Sequence, residues 1–207
     1  MKKSRCVIVG GAPIADAERI KRLFKEDDFF ICCDSGLYHE EALGRTAGLI
    51  IGDFDSHEKP DTDTELIVLP HEKDDTDTFY AAKEAVSRGY KEFLLVGVIG
   101  GRLDHTLGNI AILLYLDSLG LKAEAADDFS VMCVVSKNTE YVSKEFSYFS
   151  LLNISGTAKD ITVKGAAYEL DHAEITCEYP YGVSNEVKAE QAEISVKEGR
   201  LLLIKVY

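Results

Sequence analysis

Apolar runs that end in carboxylates constrain this chain more than any other feature of its sequence. Leu49-Ile50-Ile51 runs into Gly52-Asp53-Phe54-Asp55-Ser56, and Leu66-Ile67-Val68-Leu69 is followed, after a short polar stretch, by Asp74-Asp75-Thr76-Asp77. Phe29-Phe30-Ile31 leads to Cys33-Asp34-Ser35-Gly36, and Phe93-Leu94-Leu95-Val96 leads to Gly100-Gly101-Arg102-Leu103-Asp104-His105. Runs of this length, separated by helical stretches, read as buried parallel strands. Open α/β sheets bind ligands at the carboxyl ends of such strands. Four acidic loops would then converge on one crevice. That much negative charge in one place is costly unless a divalent cation or a cationic substrate sits there.

The rest of the first half supports this reading. Strands are expected at 6–9, 29–32, 49–51, 66–69 and 93–98, and helices at 15–24, 37–43, 78–88 and 106–119. Gly89 and Gly120 stand where helix-ending glycines stand. Such alternation predicts a parallel sheet. From Val131 onward the helical period disappears, and β-forming segments at 149–154, 161–163, 173–178, 192–196 and 201–206 are separated by Gly, Asn and Asp. Glu198-Gly199 is a hairpin signal between the last two. The fold class is therefore an α/β N-terminal domain with a mainly parallel sheet (residues 1–128), plus a smaller all-β C-terminal sandwich or barrel (129–207). The join falls within 127–145, and the absence of a long linker or internal repeat predicts that the two parts pack together.

Composition narrows the classes of function. A chain of 207 residues that is 46% hydrophobic can bury one good core or two modest ones. A net charge of −13, from 36 acids against 23 bases, argues against nucleic acid as a partner. No apolar run approaches membrane-spanning length, and Met1-Lys2-Lys3-Ser4-Arg5 leads directly into the first strand, so neither a membrane span nor a signal peptide is expected. The five cysteines, Cys6, Cys32, Cys33, Cys133 and Cys177, lie in or beside apolar runs without Cys-x-x-Cys spacing. Buried free thiols in a reducing cytoplasm are expected, not a metal–thiolate site.

The candidate site residues follow from the loops. The chain has no Gly-x-x-x-x-Gly-Lys-Ser/Thr phosphate loop and no Gly-x-Gly-x-x-Gly after its first strand; Gly10-Gly11 there permits close backbone approach, as any tight turn would. Asp53 and Asp55 can both point into a crevice from an irregular turn, or they can be a solvated acidic turn. Hard oxygen ligands without a full protein cage suit Mg²⁺, which takes phosphate oxygens and water as its remaining ligands. Thr76 or Asp77 can cap the helix that follows, whereas Asp74 and Asp75 precede the cap and are less readily explained by it. Asp104 and His105 stand before the next helix, where capping or packing would also account for them. Gly100-Gly101-Arg102 brings backbone N–H groups and an Arg to a helix start, an arrangement suited to phosphate.

Taken together, these segments resemble the thiamine pyrophosphokinase (thiamine diphosphokinase) family over nearly the whole chain. Asp34-Ser35-Gly36 stands where the family usually shows Asp-Gly-Gly, and the other three acidic loops follow in the family's order. Val163-Lys164-Gly165-Ala166-Ala167-Tyr168 and Gly182-Val183-Ser184-Asn185-Glu186 look like the segments around the thiamine pocket. The resemblance implies an N-terminal domain binding Mg·ATP and a C-terminal β-domain. It also implies a homodimer with active sites shared between subunits, thiamine lying between one subunit's first domain and the other's second. Two departures stand out. Ser35 replaces a glycine, and Tyr168 stands where eukaryotic members look to carry tryptophan, in a chain that has no Trp.

The expected reaction is attack of the thiamine hydroxyl on the β-phosphorus of ATP, giving thiamine diphosphate and AMP. Phosphoryl-type transfer depends mainly on positioning and charge neutralisation. Asp53, Asp55, Asp74 and Asp77 are the expected Mg²⁺ ligands. Arg102 would clamp the phosphates, with Asp34, Ser35, Thr76 and His105 beside ATP. Asp77, then Asp104, is the candidate for orienting the hydroxyl or accepting its proton. Tyr168 would stack on thiamine, and Ser184 and Asn185 would hydrogen-bond its pyrimidine. The competing readings are a related pyrophosphokinase acting on a hydroxymethylpterin, and a non-catalytic nucleotide- or metal-sensing module. For Tyr168 the plain alternative is a core tyrosine, and for Ser184-Asn185 an ordinary turn.

Overall fold

The computed structural model describes residues 5–54, 59–72 and 74–207. The chain divides into two compact units, Met1–Asp128 and Phe129–Tyr207.

In the first unit the elements are β1 (Cys6–Val9), α1 (Ala17–Lys21), β2 (Phe29–Cys33), α2 (Glu40–Leu43), β3 (Leu49–Gly52), β4 (Glu65–Val68), α3 (Asp77–Ser87), β5 (Glu92–Val96), α4 (Leu103–Ser118) and β6 (Lys122–Ala126). The strands lie in the order β4-β3-β2-β1-β5-β6, and every neighbouring pair is parallel. β1 is fully buried along its length, as are the last four residues of β5. Strands covered on both faces have no solvated side to accept polar residues, so their sequences read as continuous apolar runs. α3 packs across β1, β2 and β3. The residues it turns inward, Ala81, Ala82 and Ala85, are small and wholly buried, which brings the helix close to the sheet. α4 packs on β6 and α3 through the buried Ile112, Leu113 and Leu116.

Helix boundaries differ from the sequence expectation for local reasons. Residues 37–43 do not form one helix. Asp34–His39 is a 3₁₀ turn that passes into the four-residue α2, because Asp34 leaves β2 with a positive φ of 45° and Gly36 sits against the Val9 carbonyl. α4 begins three residues earlier than expected, at Leu103, so Asp104 and His105 lie in its first turn. β6 is paired although Lys122-Ala123-Glu124-Ala125-Ala126 has no β-forming composition; hydrogen bonding to β5 overrides propensity there.

The second unit is all antiparallel. Its strands are β7 (Ser130–Val135), β8 (Glu140–Ser143), β9 (Tyr148–Asn153), β10 (Thr157–Lys164), β11 (Leu170–Thr176), β12 (Gln191–Ser195) and β13 (Leu201–Val206). β13 pairs with β7 on one side and β9 on the other, and a separate sheet runs β11-β10-β12-β8. Ala192 and Ile194 are buried while Gln191 and Glu193 are exposed, the alternation of a half-buried strand. The hairpin expected at Glu198-Gly199 is not formed. β12 and β13 belong to different sheets, and the backbone at Glu198 bonds instead to Lys159 of β10. Gly199, at φ 84°, turns the chain from one sheet to the other, and a Cβ there would meet the Thr157 carbonyl at 2.5 Å. Cys6, Cys32, Cys33 and Cys133 are buried, but Cys177 is exposed, contrary to expectation.

One close approach decides where the first unit opens. Beyond the ends of β1 and β5, Gly10 N–H donates to the Val96 carbonyl at 2.9 Å and Ala12 N–H to the Gly97 carbonyl at 2.8 Å. A Cβ on Gly10 would lie 2.6 Å from the Gly97 oxygen, and Gly97 itself has φ 62°. Gly97→Ala should therefore lower unfolding free energy by about 2–3 kcal/mol through strain and overlap. Gly108→Ala, inside α4 with open space around its Cβ, should raise it by about 0.5–1 kcal/mol. Chemical denaturation of both variants checks the pair, and equal effects would remove the special status of the Gly10–Gly97 crossing.

Candidate active site

β1 is flanked by β2, β3 and β4 on one side and by β5 and β6 on the other, so the loops after β1 and β5 leave in opposite directions. Ligands of open α/β sheets bind at such a switch point. A cavity of about 350 Å³ lies there. Its walls are the turns after β1, β2 and β5 and the first turns of α3 and α4.

Asp34, Ser35, Thr76, Asp77, Arg102 and His105 line this cavity, so six of the residues singled out from sequence converge. Asp34 follows β2 in a left-handed conformation, and its Oδ1 is buried with no hydrogen-bond partner among the described residues. A buried unmatched carboxylate oxygen is costly, which marks a place for a cation or a donor. Ser35 fits because its partner in the turn is glycine: a Cβ on Gly11 would overlap Ser35 Oγ. Asp77 opens α3. Beneath it the buried Cys33 thiol donates to the Asp77 carbonyl, and burial holds that thiol well above the usual range. His39 Nε2–H donates to the Ala12 carbonyl at 2.9 Å and steadies the β1 turn.

One residue, Thr76, carries the capping role that sequence also allowed, while Asp104 lies within α4, whose N-cap is Arg102. Thr76 Oγ1 accepts from Phe79 N–H at 3.3 Å, so Thr76 is the N-cap of α3. Asp104 Oδ1 accepts from His105 N–H at 3.0 Å in the first turn of α4. The Asp104 carboxylate also forms a two-point fork with Arg102, at 3.1 and 2.6 Å. The pairing holds the Asp104 carboxyl down at about 2 and raises the guanidinium. A carboxylate that acidic is a poor proton acceptor near neutral pH. Gly100 and Gly101 both have positive φ, at 104° and 66°, and turn the chain so that Arg102 arrives at the start of α4.

The other acidic candidates are placed differently. Asp53 is half-buried just past β3, with His71 Nδ1 4.0 Å away, and does not line the cavity. Asp74 is exposed and also outside the cavity lining, while its neighbour Asp75 is paired with Lys83. Asp55 lies outside the described residues. Among the described residues no three His, Cys, Asp or Glu side chains gather into a metal cluster.

In the second unit, Tyr168 is 73% exposed, so it is not a core tyrosine. Its backbone is held on both sides by Asn185: Tyr168 N–H donates to Asn185 Oδ1 at 3.0 Å, and Asn185 Nδ2 donates to the Tyr168 carbonyl at 2.7 Å. Asn185 is buried and also accepts from Glu186 N–H, so its amide is committed to the Tyr168 loop. Ser184 is exposed, with φ 60°, and its N–H donates to Ser150 Oγ.

Sequence reasoning missed Thr78 and Asn109, both in the cavity wall. Asn109 is buried on α4, donating from Nδ2 to the Val98 carbonyl at 2.7 Å and accepting from Thr78 Oγ1 at 2.7 Å. The available signal was an amide on a helix face otherwise made of Ile112, Leu113 and Leu116. A buried amide requires partners, and only folding shows which.

Comparison with known proteins agrees with this geometry. The family described as thiamin pyrophosphokinase, catalytic domain, matches residues 20–124. That described as thiamin pyrophosphokinase, vitamin B1 binding domain, matches residues 136–201. The chain is 28% identical over 180 residues to thiamine pyrophosphokinase of Bacillus subtilis (strain 168), covering 83% of this chain and 80% of the relative. The solved Bacillus subtilis thiamine pyrophosphokinase superposes with a TM-score of 0.87 at 24% identity, over 98% of this chain and 99% of that one, a likeness of fold. The thiamin pyrophosphokinase of Geobacillus thermodenitrificans gives 0.83 at 29% identity, over 99% and 98%. With one match running from 20 to 124 and a second covering most of the β-rich unit, this chain belongs to the thiamin pyrophosphokinase family.

Proposed function

We propose that the cavity at the β1–β5 switch point holds the phosphates of ATP, with thiamine brought to it by the aromatic ring of Tyr168. As a thiamine pyrophosphokinase, the chain is an enzyme that moves a pyrophosphoryl group from ATP to the thiamine hydroxyl, leaving AMP. The observation that carries the assignment of the cavity is its mixed character. Glycine turns, two helix starts and Arg102 suit phosphate, while Asp77 and the buried unmatched Oδ1 of Asp34 suit a cation.

The chain's own groups would act as follows. Backbone N–H groups of the glycine turns and Arg102 hold the phosphate oxygens, and the Asp104 fork fixes the guanidinium plane. The thiamine hydroxyl oxygen forms a bond to the β-phosphorus, and the bond from that phosphorus to the oxygen bridging to the α-phosphate breaks, with AMP leaving. Asp77 orients the hydroxyl and takes its proton, a role for which Asp104 is too acidic. Mg²⁺ fits this donor set, because hard carboxylate oxygens with phosphate and water complete its shell. Asp77 and Asp34, which line the cavity, would hold it, and it would neutralise charge on the phosphates; of the ligands expected from sequence, Asp53 and Asp74 do not line the cavity and Asp55 lies outside the described residues. The reading takes the working enzyme to be a cytoplasmic homodimer whose sites are shared between subunits. Among the described residues no helix is long and apolar enough to cross a membrane.

The first test is incubation with ATP, Mg²⁺ and thiamine. Thiamine diphosphate and AMP are expected in equal amounts; ADP, or nucleotide binding without thiamine-dependent turnover, would instead favour another transfer or a sensing module.

Variants separate the two substrates. Asp77→Asn should lower kcat by about 100-fold or more with little change in melting temperature, since it removes charge from the reacting centre. Tyr168→Ala should raise the thiamine KM by roughly 5- to 150-fold while leaving the ATP KM nearly unchanged, the range expected for lost stacking on one aromatic ring. Mixing the two weakened variants tests the shared site. In random dimers one composite site of four is intact, so with thiamine held far below the raised KM, activity should recover to about a quarter of wild type. No recovery on subunit exchange would mean that each chain supplies its whole site.

A further inference from the structure

Asn109 lies where the two sides of the cavity meet, and the direction of every hydrogen bond around it is determined. The Val98 carbonyl is an acceptor only, so the Asn109 NH₂ group faces it and Oδ1 faces Thr78. Thr78 Oγ1 therefore spends its proton on Asn109, at 2.7 Å. Its contact with Thr76 Oγ1, at 3.3 Å, is then donated by Thr76. The Thr76 oxygen in turn accepts from Phe79 N–H, at 3.3 Å. A single directed chain thus runs from the loop after β5, through α4, to the N-cap of α3. At its fixed end Val98 packs over the β1 turn, where a Cβ on Gly10 would lie 3.1 Å from its side chain. Asp77 stands between the two threonines in sequence, at the start of the helix this chain secures.

We propose that Asn109 is a positioning residue for the transfer reaction, holding the Asp77 turn of α3 at one spacing from the glycine turns after β1 and β5. This rests on the role assigned above to Asp77. Asn109 acts through Thr78, whose committed hydroxyl has no proton left for a phosphate. The physical basis is that α3 and α4 follow different strands, and the Thr78–Asn109 bond ties the first turn of α3 to the second turn of α4 beside the cavity. Misplacing a reacting group by about 1 Å costs on the order of 100-fold in rate. A loosened α3 turn would cost rate without removing any group that touches substrate.

The test is a double-mutant cycle of Asn109→Ala and Thr78→Val, with Thr78→Ser as the conservative variant. Steady-state transfer is measured alongside calorimetric binding of α,β-methylene-ATP, which lacks the scissile bridge. Each disruptive single variant should lower kcat by about 10- to 100-fold with the thiamine KM within about 3-fold of wild type. The double variant should be no worse than the weaker single by more than about 3-fold, because both changes break one chain. Thr78→Ser should stay within about 3-fold of wild type, since it retains the hydroxyl. Additive losses, an unaffected Thr78→Val, or a kcat loss that vanishes on cooling below a lowered melting point would overturn the proposal. A wild-type chain that forms no thiamine diphosphate would defeat the transfer reading instead. The Asn109–Thr78 coupling would then be judged on analogue binding, where non-additivity supports the link and additivity rejects it.

Discussion

The backbone crossing of Gly10 and Gly97 is the constraint on which the active-site unit depends. Strand pairing between β1 and β5 continues past the strands themselves, through Gly10 N–H to Val96 and Ala12 N–H to Gly97. Side chains at those two positions would hold the turns apart. With both absent, the turns after β1 and β5 form a common floor, and the chain leaves it in opposite directions. The cavity, the two helix starts and the approach of Arg102 all follow from that divergence.

Charge is distributed around this floor by pairing. Asp75 is taken by Lys83 and Asp104 by Arg102, and at the far end of β1 the Asp28 carboxylate meets the buried Arg5 fork at 2.7 and 3.0 Å. Fixing the Arg5 fork removes a burial cost that either charge alone would carry. Asp34 is treated differently: its oxygen is buried beside the cavity without a donor among the described residues, in a backbone conformation that side chains rarely adopt. Strain and an unmatched acceptor at one residue are both unfavourable to the fold, and such combinations concentrate where a ligand completes the arrangement.

The second unit uses an amide in the way the first uses glycines. Asn185 presents a donor and an acceptor to the backbone of Tyr168, as a neighbouring strand would, and so leaves the aromatic ring exposed on a held loop. An exposed tyrosine on a mobile loop would lose much of its binding energy to ordering. Sequence led to the expectation that Asn185 faces a ligand. Its hydrogen-bonding groups are turned to the Tyr168 loop and to Glu186 N–H.

What sequence determined by itself was the character of most segments and the presence of carboxylates at the strand ends. Unbroken apolar runs such as Cys6–Val9 specify strands buried on both faces, and carboxylates at their ends specify a charged crevice. These are local signals, read from neighbours within a few residues. Tertiary structure decided which side chains meet. Asp34, Asp77 and Arg102 line one cavity while Asp74 is exposed outside its lining, although all four stood in equivalent loops. Asn109 gained its role from Val98 and Thr78, one of them 31 positions away, and Glu198-Gly199 became a passage between sheets, not a hairpin. Hydrogen-bond partners and strand neighbours are properties of spatial approach. A chain's local pattern sets which groups need partners, and only the packed fold supplies them.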